Sequence, residues 1–233
     1  MAALAAILQS VYIIAMLRFH LITLFPDACD AYLNASILGR ARKEKRISID
    51  YQTPRDFVDN RWGKVDERPY GGGPGMVMTA LPVVRAIKKS LARRKDKKIA
   101  LVWFSPGGKE FTNKEADSLL KYDDVVLVCG RYEGIDERAK KAMKAFGTVK
   151  NYSVGSAIYT GAEVPAMAII DATTRRIPGV LGKDESVEER RVAAREVYTR
   201  PESIEWEGKV YRIPKVLAGG NHAEIEQWKK RKG

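Results

Sequence analysis

Hydrophobic positions in this chain fall into two alternating periods. From Arg18 to Phe25 apolar and β-branched residues dominate, Pro26 ends the run, and the spacing then turns amphipathic from Ala28 through Ala41. A strand followed by a helix is predicted. Ile47 to Tyr51 alternates as a strand does, and the polar stretch after it ends in Pro69-Tyr70-Gly71-Gly72-Gly73-Pro74-Gly75, a long glycine-rich loop. Leu81 to Arg94 has helical spacing with a basic outer face and leads into Lys98 to Phe104, a buried-strand pattern closed by Ser105-Pro106-Gly107-Gly108. The same grammar repeats: a helix from Asn113 through Lys121, an apolar strand from Val125 to Cys129, a break at Gly130, and a polar helix from Asp136 to Lys144. A last strand region, Val149 to Tyr159, precedes a buried helix from Ala166 to Thr174.

Strands alternating with helices predict a parallel sheet covered on both faces, with ligands held by the loops at the carboxyl ends of the strands. Here those loops are Ser105 to Gly108, Gly130 to Gly134 and Gly155 to Gly161, three glycine-bearing segments able to converge on one small molecule. From Gly182 to Glu196 the composition turns sharply charged, as in a linker or an exposed helix, and Tyr198 to Gly233 is a small basic segment.

Of 233 residues, 45% are hydrophobic and 30% charged, and 10 Pro and 19 Gly show no low-complexity bias, which excludes a disordered or fibrous chain. The 41 Lys and Arg against 29 Asp and Glu give +12 and point to a polyanionic partner, nucleic acid first. Cys29 and Cys129 lie far apart without a secretory pattern, so a reducing cytoplasm is expected. His20 and His222 stand at no metal-ligand spacing, and no metal site is expected. The uncharged start is shorter than the ~20 residues of a membrane span. Residues 1–16 are read as a mis-assigned start, Met16 being the better one, or as a short extra segment.

Any one glycine loop is more often a turn than a site. Gly71 to Gly75 is followed by Met76-Val77-Met78 and lacks the lysine of a phosphate-binding loop, and no Gly-x-Gly-x-x-Gly follows the first strand. ATPase and dehydrogenase chemistry are thereby excluded. Cys129, with no histidine near it in sequence, reads as a core thiol.

Together the loops are far more specific. Arg68-Pro69-Tyr70-Gly71-Gly72-Gly73-Pro74-Gly75-Met76, Leu127-Val128-Cys129-Gly130-Arg131-Tyr132-Glu133-Gly134-Ile135-Asp136-Glu137-Arg138, Ile177-Pro178-Gly179-Val180-Leu181-Gly182, Tyr198-Thr199-Arg200-Pro201 and Gly220-Asn221-His222-Ala223-Glu224-Ile225 occur in that order. From Arg18 to Trp228 the chain closely resembles the TrmD family, bacterial tRNA (guanine-N1)-methyltransferases of the SPOUT superfamily. The resemblance implies an α/β fold with a deep trefoil knot, over residues 17–182, a charged linker over 183–197 and a reduced, helical tRNA-binding segment over 198–233. It implies a homodimer with its active site at the subunit interface, no membrane, and methyl transfer from S-adenosylmethionine to N1 of the guanosine immediately 3′ of the anticodon in tRNA.

By motif position the cofactor pocket would be formed by Phe104, Ser105, Pro106, Gly107, Gly130, Tyr132, Val154, Gly155, Ser156, Ala157, Ile158, Tyr159, Gly161 and Pro165. Tyr132's neighbour Glu133, with Asn221, His222, Lys229 and Lys230, would meet the tRNA. Guanine N1 carries a proton at neutral pH, so a carboxylate must take it while a cation stabilises charge developing on O6. The family's arginine before Ile-Pro-Gly matches Arg175, ahead of Arg176. Its linker base is an Asp in Glu-Asp-Ser, whereas this chain reads Ser186-Val187-Glu188-Glu189-Arg190-Arg191. An ungapped register puts Arg190 at the Asp position, and a shift of one residue puts Glu189 there, so Glu189 is the expected base with Glu188 behind it. Ala157 and Ala162 also depart from the family, which has an aromatic residue and a second glycine there. Had the linker change removed the base, the chain would be a catalytically silent tRNA-binding member.

Overall fold

A computed structural model of the chain describes residues 16–94, 96–181 and 196–230. The expected extra start up to residue 15, the linker carboxylates Glu188 and Glu189 with Arg190, and Arg231 and Lys232 of the basic tail lie outside the described residues.

The chain divides into two compact units between Val180 and Leu181. The larger is built on five strands, β1 (Leu17–Ile22), β2 (Ile47–Gln52), β5 (Ile99–Glu110), β6 (Asp124–Val128) and β7 (Thr148–Ser153), in the order β2-β1-β6-β5-β7 and all parallel. Every residue of β6 is buried, as the middle strand of a doubly covered sheet must be. Val125 and Leu127 point into one core with α1 (Pro26–Leu33), α2 (Ser36–Lys43), α4 (Asn113–Leu119) and α6 (Glu163–Thr174). Val126 and Val128 point into the other, with α3 (Ala80–Ser90) and α5 (Glu137–Met143). The period-two alternation of a run that reads as continuously apolar therefore serves both faces at once. A short antiparallel pair, β3 (Asp66–Glu67) with β4 (Val77–Met78), brackets the glycine-rich loop.

Three elements depart from the sequence expectation. The helix expected from Ala28 to Ala41 is two helices, because the chain turns at Asn34 and Ala35 and Ser36 takes a left-handed φ of 48°. Ser105 to Gly108 does not end its strand. β5 shifts register between Phe104 and Lys109 and pairs with β7 again at Tyr152 and Ser153, a bulge in which Gly108 packs against the Tyr152 backbone. The last strand stops at Ser153, since Val154 to Tyr159 leaves the sheet as a loop.

The smaller unit contains a hairpin, β8 (Ser203–Trp206) with β9 (Lys209–Arg212), followed by α7 (Lys215–Ala218) and α8 (His222–Lys230). The segment expected to be helical thus carries a hairpin ahead of its two helices. Glu207 and Gly208 both take positive φ, 49° and 70°, the two-residue turn whose twist suits antiparallel strands. Tyr198 packs near Trp228 at 6.2 Å between ring centroids. Among the described residues no helix is long and apolar enough to cross a membrane.

Candidate active site

The bulge of β5 and the carboxyl ends of β6 and β7 open into a cavity of about 1330 Å³. β5 supplies Trp103, Phe104, Ser105 and Pro106, the segment after β6 supplies Gly130 to Arg138, and the segment after β7 supplies Val154, Ala157 to Ala162 and Pro165. A fourth wall, not foreseen, is Glu67 to Tyr70 with β4. It is tied to the Gly130 loop by main-chain hydrogen bonds: Met78 N–H donates to Gly134 O at 2.9 Å, Asp136 N–H to Met78 O at 2.9 Å, and Glu133 N–H to Met76 O at 3.0 Å. The glycine-rich run thus has a structural duty: a side chain at Gly75, where φ is +80°, would strike the Glu133 carboxylate at 2.6 Å. Its tip is open, with Tyr70 wholly exposed.

Of the residues expected to form the pocket, Phe104, Ser105, Pro106, Gly130, Tyr132, Val154, Ala157, Ile158, Tyr159, Gly161 and Pro165 line it. Gly107, Gly155 and Ser156 do not; Gly107 lies in the β5 bulge, and Gly155 turns the chain at φ +73° with its carbonyl accepting from Ser153 Oγ. Glu133, expected to face tRNA, is in the wall. Arg175 is not: α6 starts at the cavity and Arg175 caps its far end, ten residues beyond Pro165 and about 15 Å along the axis. Arg176, its neighbour, is buried and paired with Asp117 at 2.7 Å, which assigns it to the fold. In the smaller unit Asn221 Oδ1 accepts from the backbone of Ala223 and Glu224 at the start of α8, while His222 and Lys229 are exposed. Lys230 closes that helix.

Burial dominates the electrostatics behind the cavity. Burial pushes the Cys29 thiol up to about 11 and that of Cys129 well above its ordinary value, with Glu163 adding to both, so neither is a nucleophile at neutral pH. Asp136 caps α5 by accepting from Arg138 N–H at 2.8 Å, and the Arg138 guanidinium beside it holds its carboxyl below the usual range. Sequence reasoning missed the ion pair between Arg131 and Glu163, 3.0 Å apart and 32 positions distant in the chain, for which no local pattern exists.

Fold and site define a parallel α/β protein with a ligand cleft at the strand ends. A family model described as tRNA (Guanine-1)-methyltransferase TrmD matches residues 17–233. The tRNA (guanine-N(1)-)-methyltransferase of Buchnera aphidicola subsp. Acyrthosiphon pisum is 41% identical over 216 residues, 91% of this chain and 87% of that protein. Its counterpart in Moorella thermoacetica is 37% identical over 218 residues, 92% and 84% of the two chains. A crystal structure of tRNA (m1G37) methyltransferase from Aquifex aeolicus superposes with a TM-score of 0.73 at 34% identity, covering 92% of this chain and 88% of that one. The chain belongs to the TrmD family.

Proposed function

We propose that this chain transfers the methyl group of S-adenosylmethionine to N1 of the guanosine immediately 3′ of the anticodon in tRNA. The observation that carries the reading is one cavity lined together by the β5 bulge and the loops after β6 and β7 in a chain of this family. At about 1330 Å³ it exceeds the ~300–1,000 Å³ typical of one small ligand, leaving space for a nucleobase beside a cofactor. Phe104, Pro106, Val154, Ile158 and Pro165 offer apolar surface suited to an adenosine, and Ser105 and the Gly130 and Gly161 backbones offer polar groups. When bound, the cofactor supplies an electrophilic methyl on its sulfonium. The protein's own work is orientation and proton removal: Glu189 takes the proton from guanine N1, and Arg175 stabilises the charge that develops on O6.

Arg175 cannot meet the cavity of its own chain from the far end of α6, which favours a homodimer in which one subunit completes the site of the other. Phe25 just before α1, Tyr32 in its last turn and Val164 in the first turn of α6, exposed by 44%, 49% and 53%, offer apolar surface suited to a second copy. The trefoil knot of the family belongs to this reading as well. It is supported by the path after edge strand β7, which returns to the middle of the sheet where Ala162 N–H donates to Gly130 O at 3.0 Å. The +12 charge, with Lys229 and Lys230, suits the phosphates of tRNA, and the free, buried Cys29 and Cys129 suit a reducing cytoplasm.

The test is methyl transfer from labelled cofactor to tRNA transcripts differing only at the nucleotide 3′ of the anticodon. Label should enter the guanosine transcript alone. Binding of cofactor and tRNA without transfer would replace the enzyme by a silent binder.

A further inference from the structure

Glu163 is a carboxylate buried to 4% exposure that plays no part in the proton transfer above and does not line the cavity. A carboxylate at that depth is costly unless paired. It sits in the first turn of α6, where the helix dipole favours negative charge, and accepts from Thr23 Oγ1 at 2.8 Å. Its other oxygen lies 3.0 Å from Arg131 Nε as an ion pair, and neither of these two buried atoms has a hydrogen-bond partner among the described residues.

Arg131 does line the cavity, and the pair holds it between three segments. Its guanidinium carbon lies 4.4 Å from the centre of the Phe25 ring, following β1. Its backbone bridges to Gly161, where a Cβ would come within 2.4 Å of Arg131 Nε and 2.6 Å of Glu163 Oε2. Only glycine lets the chain pass so near the ion pair. The next residue, Tyr132, also in the cavity wall, takes a left-handed φ of 59°, unusual for a side chain of its size. Such a conformation persists where its surroundings over-determine it. Here the Arg131 pair holds one side, and the bridge from Tyr132 to Val77 with the Glu133 hydrogen bond to Met76 holds the other.

We propose that Glu163 is a positioning residue for the cofactor: acting through Arg131, it fixes the Gly130 loop against the Gly161 loop and so sets the shape of the pocket that S-adenosylmethionine enters. The proposal rests on the reading of the cavity as the S-adenosylmethionine site. Glu163→Gln keeps the shape and the Thr23 hydrogen bond but removes the charge that holds Arg131.

The test is steady-state methylation by the full chain. Glu163→Gln should raise KM for S-adenosylmethionine by about tenfold, the scale of one coupling between contacting charged residues, with kcat and KM for tRNA within about twofold. A merely structural role would shrink the active fraction, lowering kcat with KM unchanged, and that result overturns the proposal. Arg131→Lys should also raise KM, and adding Glu163→Gln to it should cost no more than about a further twofold, because one contact is lost once. Effects that multiply would overturn it. Should Glu163→Gln fail to fold, Thr23→Val removes only the hydroxyl donor that orients the carboxylate. A KM rise of about threefold is then expected, and an unchanged KM counts against the role. A parent chain whose calorimetric titration with S-adenosylhomocysteine shows no uptake overturns the underlying reading and the proposal together. A parent that binds while no variant changes KM overturns the positioning role alone.

Discussion

Asp124 is fully buried at the start of β6, where it accepts from His20 Nε2 at 2.8 Å and from Arg94 Nε and Nη2 at 2.7 to 3.0 Å. Burial pushes its carboxyl up, but the hydrogen bonds from His20 and Arg94 outweigh it and hold the group below the ordinary carboxylate range. Asp124→Asn removes the charge that Arg94 pairs with, and breaking a buried pair from one side costs about 3–5 kcal/mol. Urea denaturation should show a loss of that size. Glu115 closes a capping box with Thr112 at the start of α4 and meets Lys109, which with the Thr112 hydroxyl lowers its pKa from 4.5 to about 2. A depressed carboxylate stabilises the fold fully above its ordinary pKa and loses that contribution as the pH falls through the folded value. Glu115→Gln should therefore lower the urea midpoint at pH 7, and its deficit should shrink from about pH 4.5 downward and vanish near pH 2.

At the scale of elements, β5 joins fold to site. Its first six residues are sheet core, its bulge turns Ser105 and Pro106 into the cavity, and its end pairs with β7 again. Gly108 makes the second pairing possible, since a Cβ there would meet Tyr152 backbone atoms at 2.6 to 2.9 Å, which cannot retreat as a flexible side chain can. Gly108→Ala should separate the ends of β5 and β7, lowering thermal stability by the ~1–3 kcal/mol of an overpacked site and weakening cofactor binding with it. Calorimetry of both unfolding and cofactor binding checks this. Intact stability with intact binding would show that β7 can shift without reaching the cavity.

For the whole molecule the decisive distance is the length of α6. With the cavity at one end and Arg175 at the other, a complete site requires two chains in the reading given above. Light scattering should show a dimer at working concentrations. Neither Arg175→Ala nor Glu189→Gln homodimers should methylate well, Glu189→Gln losing the ~10²–10⁴-fold of a missing general base. If the two residues reach one site from different chains, subunits mixed after partial unfolding should regain a fraction of the activity. No recovery would place both residues in one chain's site.

The alternation of strands and helices was legible in the sequence, because period two and period 3.6 set which faces a parallel sheet buries, and β1, β2, β6, α3 and α6 lie within four residues of where the pattern puts them. The loops after β6 and β7 were legible too, since strand ends are where a sheet of this kind opens, and Ser105 and Pro106 do line the cavity although their strand runs on. Only the tertiary structure decided which residues of those loops face inward, leaving Gly107, Gly155 and Ser156 outside and adding Glu67 to Tyr70. It also decided that β5 continues through Ser105 to Gly108, that Arg176 belongs to Asp117, and that Arg131 meets Glu163. The physical reason is common to all of these. Periodicity is a property of neighbours along the chain, whereas a bulge, an inward turn and an ion pair depend on which distant backbone lies alongside, and that is settled only when the sheet is assembled.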